Sequence, residues 1–273
     1  MSKLQGKVAM ITGAARGMGR SHAVRFAAEG ADIIAIDSLG GIPSVQYPLA
    51  TQADLDQTVE EVESLGRRIL PFQADVRDYA AIKAAYQAGV AELGPVDIVL
   101  ANAGIALLGA GGTDAAQAFR DVVDVNLVGA WNTVDVAAHD MVARGAGGAI
   151  VFTSSTQGLT GRGSDGTAGV LGYAASKHGV VGLMRSFANW LSPHDIRVNS
   201  VHPTGVATAM TLNEQVASML RDDPQASKMT ANLMPVELLE PSDITNAVLF
   251  LVSDDGRYVT GVALPIDAGY AVS

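Results

Sequence analysis

The sequence predicts an α/β fold: a single domain with a doubly wound, seven-stranded parallel sheet and helices on both faces. Short β-branched apolar runs alternate with segments of helical periodicity along the 273 residues. Several runs, such as Ile33-Ile34-Ala35-Ile36, are apolar at nearly every position, as strands covered on both faces must be. The spacing leaves room for a helix in each connection, and right-handed crossovers then make the sheet parallel.

The elements follow in order. Val8–Ile11 leads into a helical pattern at about 18–29, Asp32–Ile36 into one at about 54–65, and Ile69–Gln73 into one at about 78–93. Val96–Ala101 precedes the long pattern 114–144, Ala149–Thr153 precedes 173–191, and Ile196–Val201 precedes 242–252. Val262–Ile266 completes the seven. Two stretches break the rhythm. One is 38–53, with Pro43 and Pro48; the other is 203–239, rich in Met and Leu. Loops that long in a compact domain are usually functional or disordered, and their apolar content favours function.

Composition narrows the function classes. Hydrophobic residues at 48% and charged residues at 17% exclude intrinsic disorder. A formal net charge of −10 argues against non-specific attraction to nucleic acid or anionic lipid. Zero cysteines exclude disulfides, thiolate zinc sites, iron–sulfur clusters and a cysteine nucleophile. No run approaches the roughly 18 apolar residues of a membrane span, and the N-terminus lacks the pattern of a signal peptide. The expectation is a soluble, cytoplasmic protein.

Immediately after the first strand comes Thr12-Gly13-Ala14-Ala15-Arg16-Gly17-Met18-Gly19, opening a helix. Glycines let the backbone approach a pyrophosphate, and the helix N-terminus supplies unpaired N–H groups and partial positive charge. With this loop the predicted sheet becomes a Rossmann fold. Asp37 ends the second strand, where a carboxylate accepts hydrogen bonds from the adenosine ribose and repels a 2′-phosphate. Arg16 points the other way, towards NADP, but it is free to turn to the pyrophosphate or solvent, so NAD is the expected cofactor.

Tyr173-Ala-Ala-Ser-Lys177 starts a helix, and an i, i+4 pair shares one face. A free phenol titrates near 10, so a base working at neutral pH needs a neighbouring cation. Tyr and Lys on a half-exposed helix face are the plainer alternative for this pair in isolation. It does not stand alone. Ser155 follows the fifth strand and Asn102-Ala103-Gly104 closes the fourth, at the sheet edge where open α/β folds bind ligands. Asn126 lies inside a helical pattern, where Asn is a poor helix former; there it is either a satisfied core amide or an anchor for a water.

In these residues the chain resembles the short-chain dehydrogenase/reductase family. Thr12-Gly13-x-x-x-Gly17-x-Gly19, Asp75-Val76, Asn102-Ala103-Gly104, Asn126, Ser155, Tyr173-x-x-x-Lys177 and His202-Pro203 stand in the family's order. The resemblance implies that Tyr173 is the acid/base and that Lys177 binds the nicotinamide ribose and lowers the Tyr173 pKa. It implies that Ser155 holds the reacting oxygen and that Asn126 anchors a water. Asp75 and Val76 would contact adenine, and Asn102, Ala103 and Gly104 would line the adenosine side. Pro203-Thr-Gly-Val206-Ala-Thr208 replaces the usual Pro-Gly, with Pro203, the Val206 backbone and the Thr208 hydroxyl expected at the carboxamide. Gly13-Ala-Ala-Arg-Gly-Met-Gly-Arg-Ser-His-Ala23, the 42–51 insertion and Gly66–Asp78 resemble more narrowly the actinobacterial mycofactocin-coupled branch, which includes carveol-dehydrogenase-like enzymes. That likeness implies tightly held NAD and an external redox partner; the family implies a homotetramer.

The combined expectation is an NAD-dependent oxidoreductase that interconverts a secondary alcohol and a ketone, with an apolar, terpenoid-like substrate. An NADPH-dependent 3-oxoacyl-type carbonyl reductase and a non-catalytic NAD-binding regulator are the alternatives. The 38–53 insertion would cover the cofactor. The 203–239 stretch, with Met210, Leu212, Met219, Leu220, Met229, Leu233 and Met234, would be an apolar substrate lid or ordinary core and subunit packing. No metal is expected, because His22, His139, His178, His194 and His202 lack ligand spacing.

Overall fold

The computed structural model describes residues 2–107, 114–222 and 231–272. Seven strands form one parallel sheet: β1 Val8–Thr12, β2 Asp32–Asp37, β3 Ile69–Gln73, β4 Ile98–Ala101, β5 Gly148–Thr153, β6 Ile196–Pro203 and β7 Ala263–Ile266. Their order is β3-β2-β1-β4-β5-β6-β7. The chain moves outward on one side of β1 and then returns to build the other side from β4. The connections above β1 and β4 therefore diverge and leave a crevice at the strands' carboxyl ends.

Alternation along the strands assigns the two faces. In β2, Ile33 and Ala35 pack with Phe26 of α1 (Gly17–Ala28), Leu55 of α2 (Gln52–Ser64) and Val248 of α8 (Pro241–Val252). Ile34 and Ile36 face the opposite layer, with Ile82 of α3 (Tyr79–Leu93), Val134 of α5 (Gly129–Arg144) and Met184 of α6 (Ala168–Leu191). Two helix starts are fixed by side chains: Thr51 and Asp54 form a capping box on α2, and Asp78 caps α3.

Three elements differ from the sequence expectation. The pattern read as one helix over 114–144 is α4 (Ala115–Val123), a π-helical segment Asp124–Val128 and then α5. The break centres on Asn126, whose amide leaves the helix to bond the backbone after β4; π turns form where such an extra residue is accommodated. Helix α6 begins at Ala168, which places Tyr173 in its second turn rather than at its start. The 203–239 stretch contains a further helix, α7 (Glu214–Asp222). Among the described residues no helix is long and apolar enough to cross a membrane.

Candidate active site

A cleft of about 1780 Å³ opens at the carboxyl ends of β1, β4, β5 and β6. The glycine loop forms one end of it. Gly17 has φ +57, a left-handed conformation that favours glycine. A Cβ on Gly19 would lie 1.9 Å from the Gly13 carbonyl oxygen, so only glycine lets α1 start so close to the loop. No side chain caps α1, and Gly17, Met18 and Gly19 line the cleft. Uncapped first-turn N–H groups at a cleft wall fit a pyrophosphate.

Asp37 lies beside that loop and accepts hydrogen bonds from the N–H groups of Ala15 (3.1 Å) and Leu39 (3.3 Å). Burial pushes its carboxyl up, against the opposing pull of those N–H groups and Arg16. Arg16 donates to the Pro48 carbonyl. It thereby ties the 38–53 insertion to the loop. Farther along the insertion, Ser44 donates to Asp121 of α4 (2.6 Å) and the Tyr47 hydroxyl accepts from the Ala106 N–H (3.3 Å). Ile42 and Tyr47 are buried, and both line the cleft with Leu49. The insertion thus packs on a neighbouring helix and lines the cleft at once.

Asp75, Val76, Ala103 and Gly104 also line the cleft. Burial works against the charge of Asp75, but Arg77, 2.6 Å away, outweighs it and holds the carboxyl below its usual range. Asn102 spends its side chain on the strands: its amide donates to the Thr12 carbonyl (3.0 Å) and accepts from Thr153 (3.3 Å), lacing β1, β4 and β5. Asn126 is likewise engaged at both ends. It accepts from the Ile105 N–H at 2.8 Å and donates to the Ile105 carbonyl at 2.9 Å. Gly104 lies between the Asn126 amide and the Lys177 ammonium.

Ser155 follows β5, and its hydroxyl bonds the Tyr173 phenol. The Ser155 carbonyl can only accept, so His202 carries its proton on Nδ1 (2.8 Å) and its Nε2 accepts from Ser200 (2.8 Å). Burial lowers the His202 pKa to about 4, which keeps that ring neutral. Lys177 is 3% exposed and donates to the Thr153 carbonyl at 2.8 Å. Its Nζ is 5.6 Å from the centre of the Tyr173 ring.

Pro203, Val206 and Thr208 reach the same cleft. Val206 pairs with Leu239, and its carbonyl accepts from Thr211. Thr208 lies against Gly17. Every residue proposed from the sequence for a cofactor or catalytic role lines this one cleft, except Asn126, which borders it through Gly104 and Ile105.

A family model described as short chain dehydrogenase matches residues 7–217. The chain belongs to the short-chain dehydrogenase family. An uncharacterized oxidoreductase of Mycobacterium tuberculosis is 56% identical to this dehydrogenase over 98% of the chain and 97% of its relative. The (−)-trans-carveol dehydrogenase of Rhodococcus erythropolis is 46% identical over 98% and 99%. A crystal structure of carveol dehydrogenase from Mycobacterium avium in complex with NAD superimposes with a TM-score of 0.92, at 46% identity and full coverage of both chains.

Electrostatics in the dehydrogenase's cleft oppose one another. Burial pushes the Tyr173 phenol up and the Ser155 hydrogen bond pulls it down. Burial also lowers Lys177, to about 8, so its ammonium persists at neutral pH. The lowering of Tyr173 expected from Lys177 is not seen here: burial outweighs the pull of Ser155, and the phenol stands above its usual range.

Met210, Leu212 and Met234 line the cleft, and Leu212 (62% exposed) and Met234 (61%) stand at its rim, not in a core. Met229 and the side chains of Met219 and Leu220 lie outside the described residues. Sequence reasoning missed Gln157, Arg162, Asn232 and Tyr270 as cleft residues. None belongs to a motif, and only the short interval from Ser155 to Gln157 gave a signal. Among the described residues, no group of three or more His, Asp or Glu side chains is placed to hold a metal.

Proposed function

We propose that this dehydrogenase uses NAD to interconvert a secondary alcohol and a ketone, with Tyr173 as acid/base and an apolar, terpenoid-like substrate. The observation that carries the reading is the Ser155–Tyr173–Lys177 cluster sharing one cleft with an uncapped glycine loop and Asp37. NAD, when bound, accepts the carbinol hydride. Tyr173 takes the hydroxyl proton, Ser155 holds the substrate oxygen by hydrogen bonding, and the Lys177 ammonium favours the phenolate. Gly13, Arg16, Gly17, Met18 and Gly19 hold the pyrophosphate side. Asp37 takes the ribose, Asp75 and Val76 the adenine, and Asn102, Ala103 and Gly104 the adenosine wall. Pro203, Val206 and Thr208 hold the carboxamide. Asn126 acts by fixing Ile105 and anchoring a water beside Lys177.

Mass spectrometry of what the denatured protein releases tests the cofactor, and oxidation of a panel of alicyclic secondary alcohols tests the reaction. NADP in place of NAD, or no turnover of any secondary alcohol, would refute the reading. Asp37→Ala is expected to weaken NAD by about 10- to 100-fold, the loss of one charge-assisted hydrogen bond set, and to narrow its advantage over NADP. Titration of both cofactors checks this; an unchanged preference refutes the role of Asp37.

The reading extends to a cytoplasmic homotetramer served by an external redox partner of the mycofactocin type. Support for assembly comes from Phe119, Val128, Trp131, Leu171 and Trp190, large apolar side chains left exposed along α4, the π-helical segment, α5 and α6. Light scattering is expected to give four times the 28.1 kDa chain mass; a monomer at micromolar concentration refutes it.

A further inference from the structure

One wall of the cleft is assembled from pieces far apart in sequence: Gln157, Arg162 with Gly163, and Tyr270. Tyr270 is only 4% exposed. Its segment is fastened locally, because the Asp267 carboxylate accepts from the N–H groups of Gly269 (3.0 Å) and Ala271 (2.7 Å). The Arg162 guanidinium lies over the Tyr270 ring, 4.7 Å from its centre, and donates to the Tyr270 carbonyl at 3.2 Å.

The contacts continue to the catalytic cluster. Gln157 donates from its amide to the Arg162 carbonyl (2.5 Å), and its backbone N–H donates to the Ser155 hydroxyl (3.2 Å). On the other side, the Ala268 carbonyl accepts from the Met234 N–H at 3.0 Å, and Leu233 packs against Gly269. The tail therefore joins the serine wall to the second half of the 203–239 stretch. Tyr270 is the bulkiest side chain at that junction, stacked under a guanidinium that resists its swinging aside.

We infer that Tyr270 is a specificity-determining residue whose ring limits the bulk of the alcohol or ketone admitted beside Ser155. The inference rests on the reading of this cleft as an alcohol and ketone site. A ring in a fixed wall rejects the larger of two apolar ligands by steric exclusion, and shortening it transfers that volume to the cleft. A tail with only a structural role would instead weaken large and small ligands alike when perturbed.

The test uses the full-length protein loaded with NAD, with calorimetric titration of cyclohexanone and of the fused bicyclic 1-decalone. Tyr270→Phe is expected to keep the wild-type ratio of the two dissociation constants within about twofold. Tyr270→Leu and then Tyr270→Ala should shift the ratio progressively towards 1-decalone, by about tenfold in the alanine variant. The leucine variant retains much of the packing and so covers a folding failure of the alanine variant. A ratio unchanged in both, equal weakening of both ketones, or no binding of either ketone to any variant would overturn the proposal. Binding requires no turnover, so the outcome is separate from whether Tyr173 proves to be the acid/base.

Discussion

Tyr173→Phe is expected to lower kcat for secondary-alcohol oxidation by about 1000-fold, a barrier increase of about 4 kcal/mol. The substitution keeps the ring and removes only the oxygen that Ser155 bonds. Lys177 keeps its bond to the Thr153 carbonyl, and the glycine loop is untouched. NAD affinity, read by calorimetry on the same variant, should therefore stay within about threefold, because what is lost acts in the transition state and not in the ground state. Activity within tenfold of the parent would remove Tyr173 from its role. A large loss of NAD binding would instead make it a cofactor contact.

The second large effect is on cofactor exchange. The 38–53 insertion leaves β2 directly after Asp37, is tied by Arg16 at Pro48, by Asp121 at Ser44 and by Ala106 at Tyr47, and buries Ile42 and Tyr47. Opening it exposes two large apolar side chains, each worth about 1.5–3 kcal/mol. Replacing residues 41–50 by a short Gly-Ser turn is expected to speed release of radiolabelled NAD by about 100-fold, using the lower end of that range. The boundary spares Thr51 and Asp54, so the capping box of α2 survives. Equal, fast release from both proteins would leave the insertion as a flap packed on α4 with no hold on the cofactor.

Much of this architecture is legible because most of its parallel strands are buried on both faces and read as short, nearly continuous apolar runs. Helix starts are legible where a side chain performs the capping, as Asp78 does for α3. Helix α6 has no such signal: Thr167 makes no side-chain cap bond, and the helix starts at Ala168, ahead of the expected Tyr173. The cleft residues converge as the motifs imply, but the orientation of their side chains was not readable. Asn102 reads as a cofactor contact in sequence, and Asn126 as either a satisfied core amide or a water anchor; in the fold both side chains bond backbone groups. Tyr270 was beyond reach, since the Arg162 contact that fixes it spans 108 positions and belongs to no local period.

The π-helical segment Asp124–Val128 sets an angular phase between two working surfaces of the chain. Each residue of an α-helix advances the side-chain direction by about 100°. Excising one residue from the segment would relax the helix and yet turn α4 by about that angle relative to α5. Asp121 would leave Ser44, and Phe119 would leave its seat against Gly172 of α6. Asn126 could not keep both bonds to Ile105 while α4 kept its seat. The segment therefore works as a clocking joint, in which the insertion's bond to Asp121 and the Asn126 bonds to Ile105 share one rotational setting. Side-chain changes within it vary the chemistry locally, whereas a change of length by a single residue misaligns both surfaces together.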